Sequence, residues 1–253
     1  DSATYKLIGE AFAEVEAKEP WLDNVESVAD IAILSQEALF RHMNPDICPP
    51  GKKSWRGTIG ASRILLEGKY LFDVVDCDGD FDKYKLIILT DTAKIDDEVA
   101  EKLRAFVNGG GKILASGESA LYADGRGFAF DLGAKYNGPC KFVPAYIHPK
   151  FEMDGLWESA YAIYEPSTDI TATGEVLAYR ENPYFNRTAL HFCSHAQTPN
   201  DPTKLYPAIT LGKDGAYISF NMFSEYANNG ALIAKETVKH ALDVLLGEDK
   251  TLT

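Results

Sequence analysis

The chain has 253 residues, of which 45% are hydrophobic and 25% are charged, a composition typical of a globular protein with one large domain or two modest ones. Its 25 basic and 38 acidic residues give a net charge of −13, which would repel a phosphate backbone and excludes nucleic acid as a partner. No apolar run approaches the ~18 residues that span a bilayer, so no membrane partner is expected.

The first segment is predicted to form a helix. Tyr5, Ile8, Phe12 and Val15 recur at steps of three and four residues, which places them on one helical face, and Pro20 lies just past the end. The segment has neither the basic nor the apolar region of a signal peptide. It carries no targeting signal, so the compartment stays open.

Short apolar strands then alternate with helices. Strands are predicted at 28–34, 72–76, 84–91 and 112–117, and helices at 55–71 and 96–111. The helix at 96–111 has the clearest pattern, with Asp96 as its N-cap and Val99, Leu103 and Phe106 on its apolar face. The glycines after Asn108 end it.

From about residue 140 to 226 the pattern favours β-structure. Strands are predicted at 140–147, 175–181, 188–195, 206–212 and 215–223, with aromatic-rich loops at 181–187 and 223–230. Asp214 and Gly215 are expected at the tip of a hairpin. A last helix at 231–246 is expected to end at Gly247.

This alternation predicts an α/β fold with a mainly parallel sheet and helices on both faces, followed by a β-rich elaboration. Ligand sites in such sheets gather at the carboxyl ends of the strands. Glu37, Asp91 and Glu118 lie at three of those ends and are candidates for binding a small ligand or a sugar.

Phosphate-binding loops are missing from the positions where they would be expected. The first strand is followed by "LSQEALFRHMNP", which lacks a glycine, and no GxxxxGK[ST] motif occurs. The sequence therefore predicts no nucleotide, flavin or other cofactor.

The turn after the fourth strand partly matches a nucleophile elbow, G-x-(Ser or Cys)-x-G. Gly117, Glu118 and Ser119 fit its first half, but Leu121 replaces the closing glycine. Two interpretations remain open: an ordinary polar turn, or a degenerate elbow in which Ser119 is a nucleophile assisted by Glu118 or by a distant histidine.

The stretch "HFCSH" (191–195) has the residue types of a metal site. On a strand, His191, Cys193 and His195 would share one face, with the two histidines ~13 Å apart. One zinc ion, with Zn–N bonds of ~2.0–2.1 Å, cannot hold both without a bend. We therefore predict a packed strand with a buried Cys193 and no metal; His195, near the strand exit, remains a weak binding candidate.

The stretches "VADIAILSQEA" and "YKLIILTDTAKIDDEVAEKLRAFVNGGGKILASGESALYADG" resemble the β-galactosidase trimerisation domain. That domain has a flavodoxin-like, class I glutamine-amidotransferase-like fold and follows a catalytic (β/α)₈ barrel in certain glycoside hydrolases. The resemblance extends more loosely to 215–246, and 181–199 is similar to a stretch of bacterial proteins with a glycoside hydrolase barrel. It implies a bacterial protein, cytoplasmic or secreted.

The resemblance also implies a role. In class I amidotransferases the elbow carries a cysteine, with a downstream His and Glu; here Ser119 stands at that position, and no HxE pair precedes the last helix. The expected protein is a non-catalytic accessory and oligomerisation domain of a glycoside hydrolase. It would self-associate, as a trimer by analogy, and partner an upstream catalytic barrel.

The expected organisation is a single domain over 1–253. Its parts are a linker helix at 1–20, an α/β core at 28–139, the β-rich elaboration at 140–226 and a closing helix at 227–247. The alternatives are a stand-alone hydrolase that uses Ser119 and a ligand-binding module at the strand ends.

Overall fold

A computed structural model of the chain describes residues 1–48, 51, 55–195, 197–248, 250 and 251. Most of the described strands form one nine-stranded sheet with the order β2-β1-β3-β4-β11-β10-β9-β6-β7. The first five strands in this order are parallel, and the remaining four are antiparallel. The predicted mixed α/β class is confirmed.

The parallel half consists of β1 (Ile31–Leu34), β2 (Phe72–Val75), β3 (Leu86–Leu89), β4 (Lys112–Ser116) and β11 (Gly215–Ile218). The antiparallel half consists of β6 (Ala145–Pro149), β7 (Tyr161–Ile163), β9 (Glu175–Pro183) and β10 (Asn200–Leu211). A separate two-stranded sheet pairs β5 (Ala134–Pro139) with β8 (Thr168–Ala172). The helices are α1 (Ser2–Lys18), α2 (Gln36–Met43), α3 (Arg56–Glu67), α4 (Asp97–Asn108), α5 (Met222–Asn229) and α6 (Leu232–Leu246), and Glu19–Trp21 forms a 3₁₀ turn.

Two hydrophobic cores cover the two faces of the parallel strands. In β1, Ile31 and Ile33 face one core, which contains α3, α5 and α6, while Ala32 and Leu34 face the other, which contains α2 and α4. This alternation follows from the pleat of the strand, and it explains why the central strands are apolar at every position.

Helix α4 forms as its sequence predicts. The Asp96 side chain accepts a hydrogen bond from the Val99 amide at 3.0 Å, and Val99, Leu103 and Phe106 are buried. The carboxylate satisfies an amide that has no partner within the helix and also suits the positive end of the helix dipole.

Helix α3 contains two glycines because it lies very close to other elements. A Cβ atom at Gly60 would overlap the backbone carbonyl oxygen of Phe223 in α5, and one at Gly57 would approach the Gln36 amide and Thr90 Oγ1 to 2.8 Å. The absent side chains therefore allow α3 to pack directly against α5 and the strand ends.

The predicted strand at 188–195 is wrong. The described residues between β9 and β10, 184–195 and 197–199, form no strand, and Leu190 among them is 98% exposed. β9 pairs with β10 on one side and with β6 on the other, so the segment that joins β9 to β10 cannot add a strand beside β9.

Other expectations for the second half need smaller corrections. The predicted loop at 223–230 is helix α5, which ends at Gly230 in the left-handed conformation (φ 60°). The strand predicted at 140–147 begins only at Ala145, and helix α2 follows β1 directly, capped by Ser35. The hairpin between β10 and β11 is confirmed, with Leu211 opposite Ala216.

Helix α1 forms as predicted, but its apolar face packs against nothing in the described part of the chain. Tyr5, Ile8, Phe12 and Val15 are between 45% and 74% exposed, and the helix has no buried residue. None of the helices that the structure describes is long and apolar enough to cross a membrane.

Replacing Gly60 tests the close approach of α3 to α5. In an open helix, Gly→Ala would stabilise the chain by up to ~1 kcal/mol. Here we expect Gly60→Ala to lower the free energy of unfolding by about 1–3 kcal/mol, because the new Cβ atom overlaps backbone. Urea denaturation measures the change.

Gly9→Ala is the matched control, since nothing lies within 4 Å of a Cβ at Gly9 in α1. It should leave the free energy of unfolding unchanged or raise it slightly. Equal effects of the two substitutions would contradict the packing explanation.

Candidate functional site

The carboxyl ends of β1, β3, β4 and β11 meet at one edge of the sheet. These strands are adjacent and parallel, so the residues that follow them lie together, as expected for an α/β ligand site. The polar residues at this edge include Gln36, Asp91, Ser116, Ser119 and Ser224.

Asp91 is the centre of this edge and is completely buried. Its Oδ1 accepts a hydrogen bond from Ser116 Oγ at 2.7 Å, and its Oδ2 accepts from the Ser224 amide at 2.7 Å and from Ser224 Oγ at 2.6 Å. The Phe223 amide also points at Oδ1, at 3.4 Å. Because these amides belong to the first turn of α5, whose N-cap Asn221 makes no side-chain cap bond, Asp91 caps this helix from a distant strand.

Burial and hydrogen bonding act in opposite directions on the ionisation of Asp91. Burial raises its pKa to about 6, although the hydrogen bonds from Ser224 and Ser116 act in the opposite direction. Its backbone is in the left-handed region, with φ 48°, and its carbonyl oxygen accepts from the Glu118 amide. Asp91 thus joins β3, the turn after β4 and α5, and its buried carboxyl group has no access to a ligand.

Gln36 fills the neighbouring part of the edge. Its side-chain amide donates to Thr90 O at 3.1 Å and to Thr92 Oγ1 at 3.0 Å, while its Oε1 accepts from the Thr58 amide at 3.2 Å. The side chain therefore links the start of α2 to the end of β3 and to α3.

Ser119 lies in a turn with the strained backbone of an elbow, since Gly117 (φ 57°) and Ala120 (φ 59°) are both left-handed. However, Ser119 is completely buried. Its Oγ donates to Leu89 O at 2.6 Å and accepts from the Ser116 amide at 2.9 Å. The hydroxyl is bonded to backbone rather than to a base, so this geometry favours the polar-turn interpretation.

Glu118 is partly exposed, and its carboxylate has other partners than that of Asp91. It pairs with Lys94 at 2.9 Å and accepts from Tyr136 Oη at 2.9 Å. Burial raises the pKa of Glu118, but the hydrogen bonds from Lys94 and Tyr136 outweigh it, and the net pKa is lowered. A carboxylate held ionised in this way is a poor proton donor.

Glu37 has different neighbours, since it forms an ion pair with Arg41 one turn along α2, at 2.9 Å. Glu37, Asp91 and Glu118 therefore share no partner. The predicted strand-end carboxylates lie at the same edge but do not converge on one site.

The HFCSH segment is an exposed connection. The His191 ring stacks on Phe185 with centroids 4.0 Å apart, and Cys193 is half-buried, with its thiol directed at the backbone oxygens of His195 and Gln197. The expected burial of Cys193 is thus only partial, and His195 is exposed. Among the described residues, no group of three or more His, Cys, Asp or Glu side chains could hold a metal ion.

One polar cluster was not foreseen from the sequence. Glu181 in β9 is 2% exposed, pairs with His148 Nδ1 of β6 at 2.7 Å and accepts from the Asn200 side chain. Its neighbour Arg180 is also buried and pairs with Asp169. The adjacent charged residues Arg180 and Glu181 within the otherwise apolar stretch "EVLAYREN" could have indicated a buried polar cluster. Their partners could not be predicted, because these lie on other strands.

Asp91→Asn tests the buried carboxyl group. The pKa of Asp91 is about 6 in the folded chain and near 4 in the unfolded chain. Its protonation therefore stabilises the fold fully below pH ~4, and this contribution is lost as the pH rises to about 6. The Asn variant lacks this titration. We expect the stability of the native chain relative to the variant to fall by about 2 kcal/mol between pH 4.5 and pH 7.

Urea denaturation at several pH values measures this difference. Glu37→Gln, which changes an exposed carboxylate, is the control and should change stability by less than about 0.5 kcal/mol at each pH. A difference between the native chain and Asp91→Asn that grows with pH would contradict the assignment.

We compared the chain with known protein families, curated proteins and solved structures. No protein-family model and no curated protein matches the chain. Among solved structures, α-L-fucosidase isoenzyme 2 from Paenibacillus thiaminolyticus is 42% identical with a TM-score of 0.90, over 100% of this chain and 38% of the fucosidase.

Two β-galactosidases are similar in fold alone. The cold-adapted enzyme from Rahnella sp. R3 has a TM-score of 0.55 at 19% identity, over 84% of this chain and 32% of that one. A catalytic mutant of Gan42B, a GH42 β-galactosidase from G. stearothermophilus, has a TM-score of 0.57 at 18% identity, over 84% and 31%. The chain spans well under half of each of these enzymes, and it has a glycoside hydrolase-related fold.

Proposed function

We propose that this chain is a non-catalytic accessory and oligomerisation domain of a glycoside hydrolase, of the β-galactosidase trimerisation type and with an amidotransferase-like fold that has lost its chemistry. The observation that carries the proposal is the alignment with the fucosidase, which covers all of this chain but only 38% of that enzyme. A segment of this kind fits an accessory part of a larger protein that acts on carbohydrate.

The strand-end edge supports the non-catalytic part of the proposal. The nucleophile candidate Ser119 is buried and bonded to backbone, and Asp91 and Gln36 fill the adjacent space with satisfied hydrogen bonds. An acyl-transfer site needs an accessible nucleophile within reach of a base, together with room for the substrate. This edge offers neither.

Two exposed apolar surfaces support the assembly part. The α1 stripe of Tyr5, Ile8, Phe12 and Val15 is suited to pack against an upstream catalytic barrel, as a linker helix would. Leu190 (98% exposed) and Phe192 (64% exposed) form a second surface on the β9–β10 connection, which is suited to self-association.

The catalytic part is tested by assaying the purified chain with nitrophenyl glycosides and a nitrophenyl ester. We expect no turnover by the chain alone, because its strand-end hydroxyl is inaccessible. Ser194→Ala, at an exposed position, is the control. If the chain turned over a substrate, and if Ser119→Ala abolished this activity while Ser194→Ala did not, the stand-alone hydrolase would be favoured instead.

The assembly part is tested by light scattering over a wide range of protein concentrations. We expect a concentration-dependent oligomer, a trimer by analogy, that the double substitution Leu190→Ser and Phe192→Ser shifts towards monomer by at least tenfold in dissociation constant. Leu66→Ser, at a 72% exposed position of α3, is the matched control. A strict monomer at every concentration would contradict self-association.

A further inference from the structure

The connection between β6 and β7 lines an open cavity, and none of its lining residues belongs to the strand-end edge described above. Residues 149–159 fold back on themselves around a volume of about 420 Å³. This volume lies within the ~300–1,000 Å³ range of small-molecule sites. The cavity lies at the antiparallel end of the sheet, beside α6.

The floor of the cavity is fixed to the body of the domain. The Phe151 ring stacks on His240 of α6 with centroids 3.5 Å apart, and Met153 and Leu156 pack against the main core. The Tyr161 hydroxyl donates to Trp157 O at 2.5 Å, and the Lys150 amide donates to Leu177 O at 3.0 Å. The cavity is therefore formed before any ligand arrives, which lowers the entropic cost of binding.

Trp157 stands at the wall of the cavity with 88% of its surface exposed. An exposed indole beside a cavity offers a ligand a flat apolar face together with an N–H donor. It is the only ring lining the cavity with a free face, because the Phe151 ring is stacked against His240. A cage for an ammonium ion needs several free aromatic faces, which this cavity does not have.

The rim of the cavity is polar and acidic. Glu152 and Glu158 line it, both are exposed, and in the described part of the chain neither has an ion-pair or hydrogen-bond partner. Each carboxylate can accept several hydrogen bonds from hydroxyl groups. Lys150 also lines the cavity, and its Nζ donates to Val176 O at 3.2 Å, so the lining carries two carboxylates and one ammonium group.

We infer that this cavity binds one pyranose unit of a neutral saccharide. The apolar C–H face of the sugar ring packs on the free indole face of Trp157, and its hydroxyl groups donate to Glu152 and Glu158. This inference goes beyond the proposed function, since it assigns the domain a sugar-contacting site of its own, away from any catalytic barrel.

Titration of the purified chain with D-galactose, L-fucose and D-mannose tests the inference, with tryptophan fluorescence and calorimetry as readouts. At least one sugar should bind with a millimolar dissociation constant. Trp157→Ala should weaken that binding at least tenfold, and Glu158→Gln should weaken it about threefold. Trp21→Ala, which removes an indole that is 82% exposed outside the cavity, should leave it unchanged.

Because Trp157 is exposed, its replacement should leave the thermal midpoint unchanged, and that measurement confirms that the variant is folded. Binding of none of the three sugars, binding that survives Trp157→Ala, or binding of tetramethylammonium in their place would each overturn the inference. Light scattering on the same samples reports on the oligomerisation proposal separately, so the failure of one idea is distinguishable from the failure of the other.

Discussion

The buried carboxyl group of Asp91 is the interaction on which the arrangement of this domain depends. It joins the end of β3 to Ser116 at the end of β4 and to the first turn of α5. Helix α5 has no cap of its own, so its orientation is fixed by a residue more than a hundred positions away. The carboxyl end of the sheet, where an α/β protein commonly binds its ligand, is here used to hold the fold together.

The close packing of α3 follows from the same constraint. Once α5 is held at the strand ends, α3 must pass directly over its first turn, and only glycine fits at positions 57 and 60. Gln36 then bridges α3 to the edge through Thr58 and Thr90. Together these contacts fill much of the strand-end region with protein groups, although Thr90 Oγ1 and Ser219 Oγ are buried there without a hydrogen-bond partner among the described residues. Accessible apolar and acidic surface lies instead on α1, on the β9–β10 connection and on the β6–β7 loop.

Features set by local sequence could be predicted, and features set by distant contacts could not. Helix α4 was predicted because its cap, its apolar stripe and its terminating glycines all lie within the helix and its flanks. Helix α5 was mistaken for a loop because its capping group, Asp91, belongs to another strand. The HFCSH segment has a strand-like pattern, but β9 is already paired on both sides, and strand pairing of this kind cannot be read from the local sequence. The position of Asp91 after a strand made it a candidate for binding a ligand, whereas its capping of α5 could not be read from the sequence, because Ser224 is more than a hundred residues away.

Helix α1 bears on the proposal that this chain packs against a partner. An isolated helix of 17 residues is marginally stable in water, and most helical stability in proteins comes from packing of an apolar face. The ion pairs Lys6–Glu10 and Lys18–Glu14 are exposed and add only a few tenths of a kcal/mol each. The stripe of Tyr5, Ile8 and Phe12 buries nothing within the described chain. A partner that covers this stripe would supply the stabilisation that contacts within the described chain do not.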